Sequence, residues 1–563
     1  MNEAHNASRR RFLTGAAATA GGMLAAMTGL GPTDVPAAAT GRPRAPEAVG
    51  TGKTVLVLGA GIAGLTAAYE LAKQGYTVEV LEAQQRAGGR SLTARTGSVV
   101  TEVEGDGRLT TQKCVFDEGL YLNLGPGRIP YHHRRVLRYC TDLKVPLEVY
   151  VPETAANLVR TERGFGGTAQ INRRVTHDTR GHLAALLSKA VERGALDTEL
   201  SPQRRTRLLS LLASFGDLPR DKTGKPLGSD YNGSTRCGYL DPLDVHNTLK
   251  PMTPLDLREI IDADYWLTNY HQPMDHLWQS TMFQPVGGMD QIAEGFLRAL
   301  TALKVPVTYG AVVTSIDVKA EAAGSAVLVG WSVQGRPVTP RRVDYCLSSI
   351  PFPVLQTIKT NFSPTFDAAV KTARFAPACK VGWQANSRFW ESDDNQMYGG
   401  ISRVDHLITQ VWYPSYDYFT AKGTLTGCYN SYENATRLGA LPHEKRLETA
   451  REGGRLLHKE FGDDTVIPNR QGMSIAWHKV QYQLGGWADW IDTPADRVAY
   501  GRLLAPDGRF HIIGDQVSPL PGWKEGAMMS AQYVAGQVMG LESTDVPKVR
   551  QAPDSRALTT GRI

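Results

Sequence analysis

The chain has 563 residues, 42% of them hydrophobic and 21% charged, with a formal net charge of +6. That length is too great for one hydrophobic core, so two or more structural units are expected, and the composition is that of a soluble globular protein. Sixty-two basic residues against 56 acidic ones do not imply a nucleic acid or other polyanion as partner.

In chain order, the first signal is an address. Ser8-Arg9-Arg10-Arg11-Phe12-Leu13 carries a twin arginine followed by Phe-Leu. A small-residue stretch from Thr14 to Leu30 comes next, and Ala37-Ala38-Ala39 offers a small-x-small cleavage site. This layout predicts a twin-arginine signal peptide over 1–39. The stretch is too short and too weakly apolar for a permanent membrane helix, and no later run could span a bilayer. The mature protein is therefore expected to be secreted and free of a stable membrane anchor. Residues 40–52, rich in Pro, Gly and Ala, read as a linker.

Residues 53–83 read as a βαβ unit. Thr54–Leu58 is an apolar strand of the kind buried in parallel sheets. Ile62–Gln74 has helical periodicity and is stopped by Gly75, and Thr77–Leu81 alternates as a second strand. Between 151 and 250 the texture is more charged, with helical stretches near His182–Glu192 and Gln203–Ser214 and a loop-like run from Asp217 to Asn247. Strands return at Val305–Tyr309, Val312–Val318, Ala326–Val333 and Tyr345–Ser349. The chain closes with a strand at His511–Ile513, a turn, and a helix rich in Ala and Gly. The six cysteines are scattered without a Cys-x-x-Cys or Cys/His pattern, so no metal site is expected. Disulfides or buried free thiols are both compatible with the spacing.

The strongest chemical motif is Gly59-Ala60-Gly61-Ile62-Ala63-Gly64, placed after a strand and opening a helix. The first glycine permits the turn, the second lets backbone approach a pyrophosphate, and the third permits close helix–strand packing. The helix N-terminus offers unpaired N–H groups to the phosphates. Glu82, at the end of the second strand, suits a ribose hydroxyl pair. Gly88-Gly89-Arg90 adds a second pass of backbone and charge beside the pyrophosphate, for which a nicotinamide enzyme has no general need. Together with Gly514-Asp515 and the helix start at Gly522–Ala527, this combination resembles the glutathione-reductase-type fold, where it reaches the ribityl and ring portions of a flavin, and the resemblance implies FAD rather than NAD.

With these pieces in place, the chain resembles the flavin amine oxidase superfamily, and within it the L-amino acid oxidases. The resemblance rests on Gly59–Gly64, Glu82-Ala83, Gly88-Gly89-Arg90, Gly125-Pro126-Gly127-Arg128-Ile129-Pro130 and Gln284-Pro285-Val286-Gly287-Gly288-Met289-Asp290. Lys380-Val381, Phe389-Trp390-Glu391, Gly399-Gly400, Gly514-Asp515 and Gly522-Trp523 continue it. It implies an α/β (α+β overall) fold: a glutathione-reductase-type FAD-binding Rossmann domain (53–125, 285–350, 500–542), a mixed-sheet substrate-binding domain (126–150, 251–284, 351–499) and a helical insertion (151–250).

The resemblance also implies roles. FAD, without an indicated covalent bond, falls to Gly59, Gly61, Ile62, Ala63, Gly64, Glu82, Ala83, Gly89 and Arg90 at one end. Gly125, Pro126, Gly127 and Arg128 would pass beside its ring, and the backbone of Val313 would meet adenine. Asp515, where relatives usually carry Glu, and Gly522, Trp523, Ala527 and Met528 complete the set. Arg128 and Tyr429 would hold a substrate carboxylate, Trp523 would wall the pocket, and Lys380 would be catalytic through a water near the flavin. A guanidinium forks onto a carboxylate through two N–H donors, which a simple amine oxidase does not need.

The expected reaction is oxidative deamination of an L-amino acid by hydride transfer to the flavin, giving a 2-oxo acid, ammonia and, from oxygen, hydrogen peroxide. The amino acid is left between two classes. Asp262, Asp264, Asp275 and Glu433 would suit a basic side chain, and Trp266, Tyr270, Trp278 and Tyr432 a large neutral one. An amide-forming monooxygenase, an amine or polyamine oxidase, and a binding protein with structural flavin are the competing readings. Dimers are common among proteins that resemble this chain, so a homodimer is a further expectation.

Overall fold

The structure is a computed structural model that describes residues 49–241, 243–319 and 326–540. The twin arginine and the Ala37–Ala39 site lie outside the described residues. The expected βαβ unit forms as strand Thr54–Leu58, helix Ile62–Lys73 and strand Thr77–Glu82. These strands belong to a five-stranded parallel sheet in the order Val307–Tyr309, Thr77–Glu82, Thr54–Leu58, Tyr345–Ser348, Phe510–Ile512. Val55 to Leu58 are buried, as a strand covered on both faces requires.

One face of this sheet packs against three helices. Leu65, Ala68 and Leu71 of Ile62–Lys73 meet Phe296 and Leu300 of Gln291–Ala302, and Met528, Ala531 and Ala535 of Lys524–Val538. The other face contributes Leu56 and Leu58 to a core with Val327 and Val329 of an antiparallel pair, Ala311–Asp317 with Val327–Val333. Each fully buried leucine here is worth roughly 2 kcal/mol of burial. Two of these strands start two residues later or one earlier than the sequence suggests, which is the usual play at element ends.

The second large sheet has seven strands, in the order Gln170–Ile171, Leu158–Arg160, Ile401–Val404, Gln410–Trp412, Gly423–Ser431, Ala378–Ala385, Gly472–Ala476. All eight residues of Ala378–Ala385 are buried. A small antiparallel sheet of Ile129–Pro130, Met282–Pro285 and Leu147–Tyr150 lies in the same half of the sequence assigned to substrate binding.

Two local expectations are corrected, while the second insertion helix and the loop after it form where expected. Leu158–Arg160 and Gln170–Ile171, assigned on sequence to the helical insertion, are strands of the seven-stranded sheet, with Gln170–Ile171 at its edge. The first insertion helix begins at Asn172 rather than His182 and runs to Glu192. Its polar start hid it: Asp178 is fully buried, yet its carboxylate accepts from the Leu255 amide and the Tyr231 hydroxyl, so the buried face is not an apolar stripe. The second, Pro202–Phe215, is set by Ser201, which accepts from the Arg204 amide, and by proline in its first turn. Between Asp217 and Asn247 the described residues form one 3-10 turn, Thr235–Cys237, and otherwise loops. All six cysteines are buried free thiols. Among the described residues no helix is long and apolar enough to cross a membrane.

Candidate active site

An elongated cavity of about 410 Å³ runs from the glycine turn after Leu58 to the start of helix Lys524–Val538. Backbone forms its first half. A methyl group on Gly64 would sit 1.9 Å from the Gly59 carbonyl oxygen, so only glycine lets helix and strand approach. A methyl group on Gly61 would meet no protein atom within 4 Å, because that position faces the cavity. Gly88 bridges to Gly61 and puts the second glycine pair against the first. Glu82 stands buried beside this turn, where its carboxylate accepts from the amides of Ala60 at 2.7 Å and Gln84 at 2.8 Å. Burial raises its pKa, while those two bonds and Arg86 oppose the rise. Val313 and Ala311 close this end.

At mid-length, Arg90 pairs with Asp515 through both guanidinium nitrogens and donates to the Gly486 carbonyl at 2.6 Å. Asp515 also accepts from the Gly522 amide at 2.8 Å. The carboxylate expected to serve the cofactor alone thus also fixes Arg90 and the Gly522 turn. The pair ties the early Gly-Gly-Arg motif to the late Gly-Asp motif across 425 positions of sequence.

Side chains build the other half. Lys380 and Tyr429 are direct cross-strand partners between Ala378–Ala385 and Gly423–Ser431, so both point to one face. The Lys380 ammonium donates to the carbonyls of Gly125 and, at 3.2 Å, Asn123. It lies 4.8 Å from the Tyr429 ring and 4.9 Å from the Trp412 ring. Burial, helped by Arg128 and Lys524, lowers its pKa to about 7.

Arg128 is 7% exposed and sits in a cage of indoles, 3.5 Å from the Trp278 ring, 4.7 Å from Trp412 and 5.6 Å from Trp523. Its Nε has no hydrogen-bond partner, and no carboxylate pairs with it among the described residues. Burial lowers its pKa to about 10, and the phenols of Tyr150 and Tyr429 oppose the drop. It therefore stays charged at neutral pH. Trp412 is pinned by its indole N–H on Gln410, which also accepts from Arg403 and donates to the Tyr429 carbonyl.

This chain matches the family described as flavin containing amine oxidoreductase over residues 62–539. The chain belongs to that family. The L-tryptophan oxidase RebO of Lentzea aerocolonigenes, described as flavin-dependent, is 25% identical over 506 residues, covering 85% of this chain and 96% of that one. An L-amino-acid oxidase of Vipera ammodytes ammodytes is 24% identical over 503 residues, covering 86% and 92%. Among solved structures, cyclohexylamine oxidase from Brevibacterium oxydans IH-35A is similar in fold, with a TM-score of 0.54 at 17% identity over 87% of this chain and 99% of that one. This flavin amine oxidase is an FAD-dependent oxidoreductase. Its cavity fits that cofactor: a glycine cradle open at Gly61, a ribose-suited carboxylate at Glu82, and basic groups from Arg90 to Lys380 along a slot long enough for a dinucleotide.

Most residues chosen on sequence line the cavity, among them Gly59, Ile62, Ala63, Ala83, Gly89, Gly125, Pro126, Asp515, Gly522, Trp523 and Ala527. Gly64, Gly127, Arg128 and Met528 are not on its wall. Arg128 stands 5.6 Å from the ring of the wall residue Trp523, and Met528 packs in the helix–sheet core. Of the specificity candidates, Asp262, Asp264, Asp275 and Glu433 are off the wall, as are Trp266, Tyr270 and Tyr432. Tyr270 packs with Tyr265, and its hydroxyl bonds Asn172 and Thr176. Trp278 is off the wall too, but of these candidates it alone reaches Arg128. Trp412, Tyr150 and Lys524 escaped the sequence reading. A tryptophan or tyrosine in a strand looks like core, and Lys524 had only its place beside Trp523 to mark it.

Proposed function

We propose that this flavin amine oxidase is an L-amino acid oxidase that takes large neutral side chains and forms a 2-oxo acid, ammonia and hydrogen peroxide. The observation that carries the reading is Arg128, a buried guanidinium without a carboxylate partner, caged by three indoles. A cation so placed calls for an anion, and an α-carboxylate supplies one. A simple amine offers nothing to it. The relatives named as L-amino-acid and L-tryptophan oxidases support the same class.

Arg128 and the Tyr429 hydroxyl would hold the carboxylate. Trp523, with Trp278 and Trp412 around Arg128, would keep the site dry and strengthen that contact. Bound FAD supplies the two-electron acceptor, and oxygen carries those electrons away. Lys380, which burial makes a neutral amine above a pH of about 7, can hold a water and take a proton during imine hydrolysis. Trp523 on the cavity wall, with Trp477 and Trp487, favours a large neutral substrate, and none of the four candidate acids lines that wall to hold a basic one. The twin-arginine motif and Ala37–Ala39 support export through the folded-protein route, which suits a chain loaded with cofactor first.

The test is anaerobic bleaching of the flavin by L-amino acids and by the corresponding decarboxylated amines. Bleaching by leucine, phenylalanine or tryptophan, reversed by air, is expected. In Arg128→Met, kcat/KM should fall about a thousandfold, the scale of truncating one partner of a buried charge pair. Equal bleaching by the amines, or wild-type rates in Arg128→Met, would assign the chain to the amine oxidases instead.

A further inference from the structure

We propose that Lys524 is a cofactor-binding residue whose ammonium group faces an acceptor oxygen of the flavin nucleotide. Lys524 lines the cavity and opens the fifteen-residue helix Lys524–Val538, directly after Trp523. It is 6% exposed, and its Nζ has no hydrogen-bond partner.

The nearby acids are committed elsewhere. Glu525 accepts from the amides of Arg135 and Val136 and pairs with the Arg135 guanidinium. Asp515 is held by Arg90 and the Gly522 amide. Asp290 receives both guanidinium nitrogens of Arg95. The countercharge must therefore come from outside the protein.

Two penalties meet at this point. An unpaired ammonium is buried, and a cation stands at a helix N-terminus, where the helix dipole already presents positive charge. An anionic or strongly accepting oxygen relieves both at once. Arg90 and Lys380, within electrostatic reach, add to the same positive focus. Burial, with Arg90 acting the same way and Cys140 and Asp290 opposing, lowers the Lys524 pKa to about 7. A facing oxygen would restore its proton.

The flavin nucleotide offers such oxygens on its pyrophosphate and on its ring. The inference rests on the family's cofactor and not on the amino-acid reading, because its test uses no substrate. FAD affinity of the apoprotein and the two-electron midpoint potential of the loaded protein are measured for wild type, Lys524→Met and Lys524→Arg. Lys524→Met should weaken FAD binding about tenfold or lower the potential by about 30 mV, the equivalent of a tenfold change in relative affinity for the two redox states. Lys524→Arg should keep most of both. A change in potential alone puts the lysine on a ring oxygen, and a change in affinity alone puts it on a phosphate oxygen.

The apoprotein should also take up a proton when FAD is added at about pH 8, one unit above that pKa, in wild type and in Lys380→Met alike, which separates Lys524 from the other neutral lysine of the cavity. This measurement decides the matter where Lys524→Met does not fold. Affinity and potential unchanged within twofold, or no proton uptake by wild type, would overturn the proposal.

Discussion

The two ends of one cavity are made by different means. At the nucleotide end the contact surface is largely main chain: the glycine turn at Gly59–Gly64, the glycine pair at 88–89, and the strands at Glu82 and Val313. At the substrate end it is side chain: Lys380 and Tyr429 from one sheet and Trp523 from a helix start, with Arg128 from a short connection set against that tryptophan. Main-chain sites demand particular residues at fixed local spacing, because a Cβ in the wrong place cannot be accommodated. Side-chain sites demand only that distant segments meet, and many sequences satisfy that.

The largest expected effect is at the glycine turn, where two substitutions separate packing from cofactor approach. Gly64→Ala drives a methyl to within 1.9 Å of the Gly59 carbonyl oxygen, backbone that cannot step aside. It should abolish accumulation of folded protein, or lower the melting temperature of what remains by more than 10 °C. Gly61→Ala meets nothing in the protein within 4 Å, at a φ of −68° open to any residue. Its apoprotein should melt as wild type does, while FAD affinity falls at least tenfold because the methyl occupies cofactor space. Equal destabilisation by both would mean that the turn serves packing alone.

That contrast also explains what was legible in the sequence. The βαβ unit, its fingerprint and the terminal acid could be read because each is local and periodic. Lys380, Tyr429 and Trp523 were reachable only through family resemblance, since nothing around Lys380 in Ala378–Ala385 separates it from a solvated strand lysine. The Arg90–Asp515 pair was invisible, being a contact between motifs at opposite ends of the chain. The strands at 158–160 and 170–171 were lost to a charged local texture, although 158–160 pairs with Ile401–Val404 and 170–171 pairs with 158–160 at the edge, which makes both part of the sheet.

A smaller effect sharpens the comparison through pH. Lys380 and Lys524 both have folded pKa values near 7 against an ordinary lysine value of 10.5. Between those values the unfolded chain binds more protons than the folded one, so stability should rise with pH from about 7 to 9. Each lysine contributes at most about 1.4 kcal/mol per pH unit. Denaturant unfolding of the apoprotein across this range should show the rise, and Lys380→Met or Lys524→Met should each remove part of the slope. A slope unchanged in both variants would mean that neither amine is held neutral by the fold.

The smallest expected effect concerns selectivity. Asp262, Asp275 and Glu433 are exposed and off the cavity wall, so they are solvated charges in this structure. Asp262→Ala, Asp275→Ala and Glu433→Ala should each leave kcat/KM for leucine or phenylalanine within twofold, and activity on lysine or arginine should stay low throughout. Trp278→Leu should not be silent. It strips the closest ring from the Arg128 guanidinium, a contact worth up to about 2 kcal/mol when desolvated. The expected result is a higher KM with a smaller change in kcat, because the ring orders the carboxylate contact and is remote from the bond that breaks. If an acid variant instead abolished turnover of a basic amino acid that the wild type accepts, the indole cage would be secondary. The segment around residues 262–275 would then have to close over the substrate, and selectivity would belong to a part of the chain that lies off the cavity in this structure.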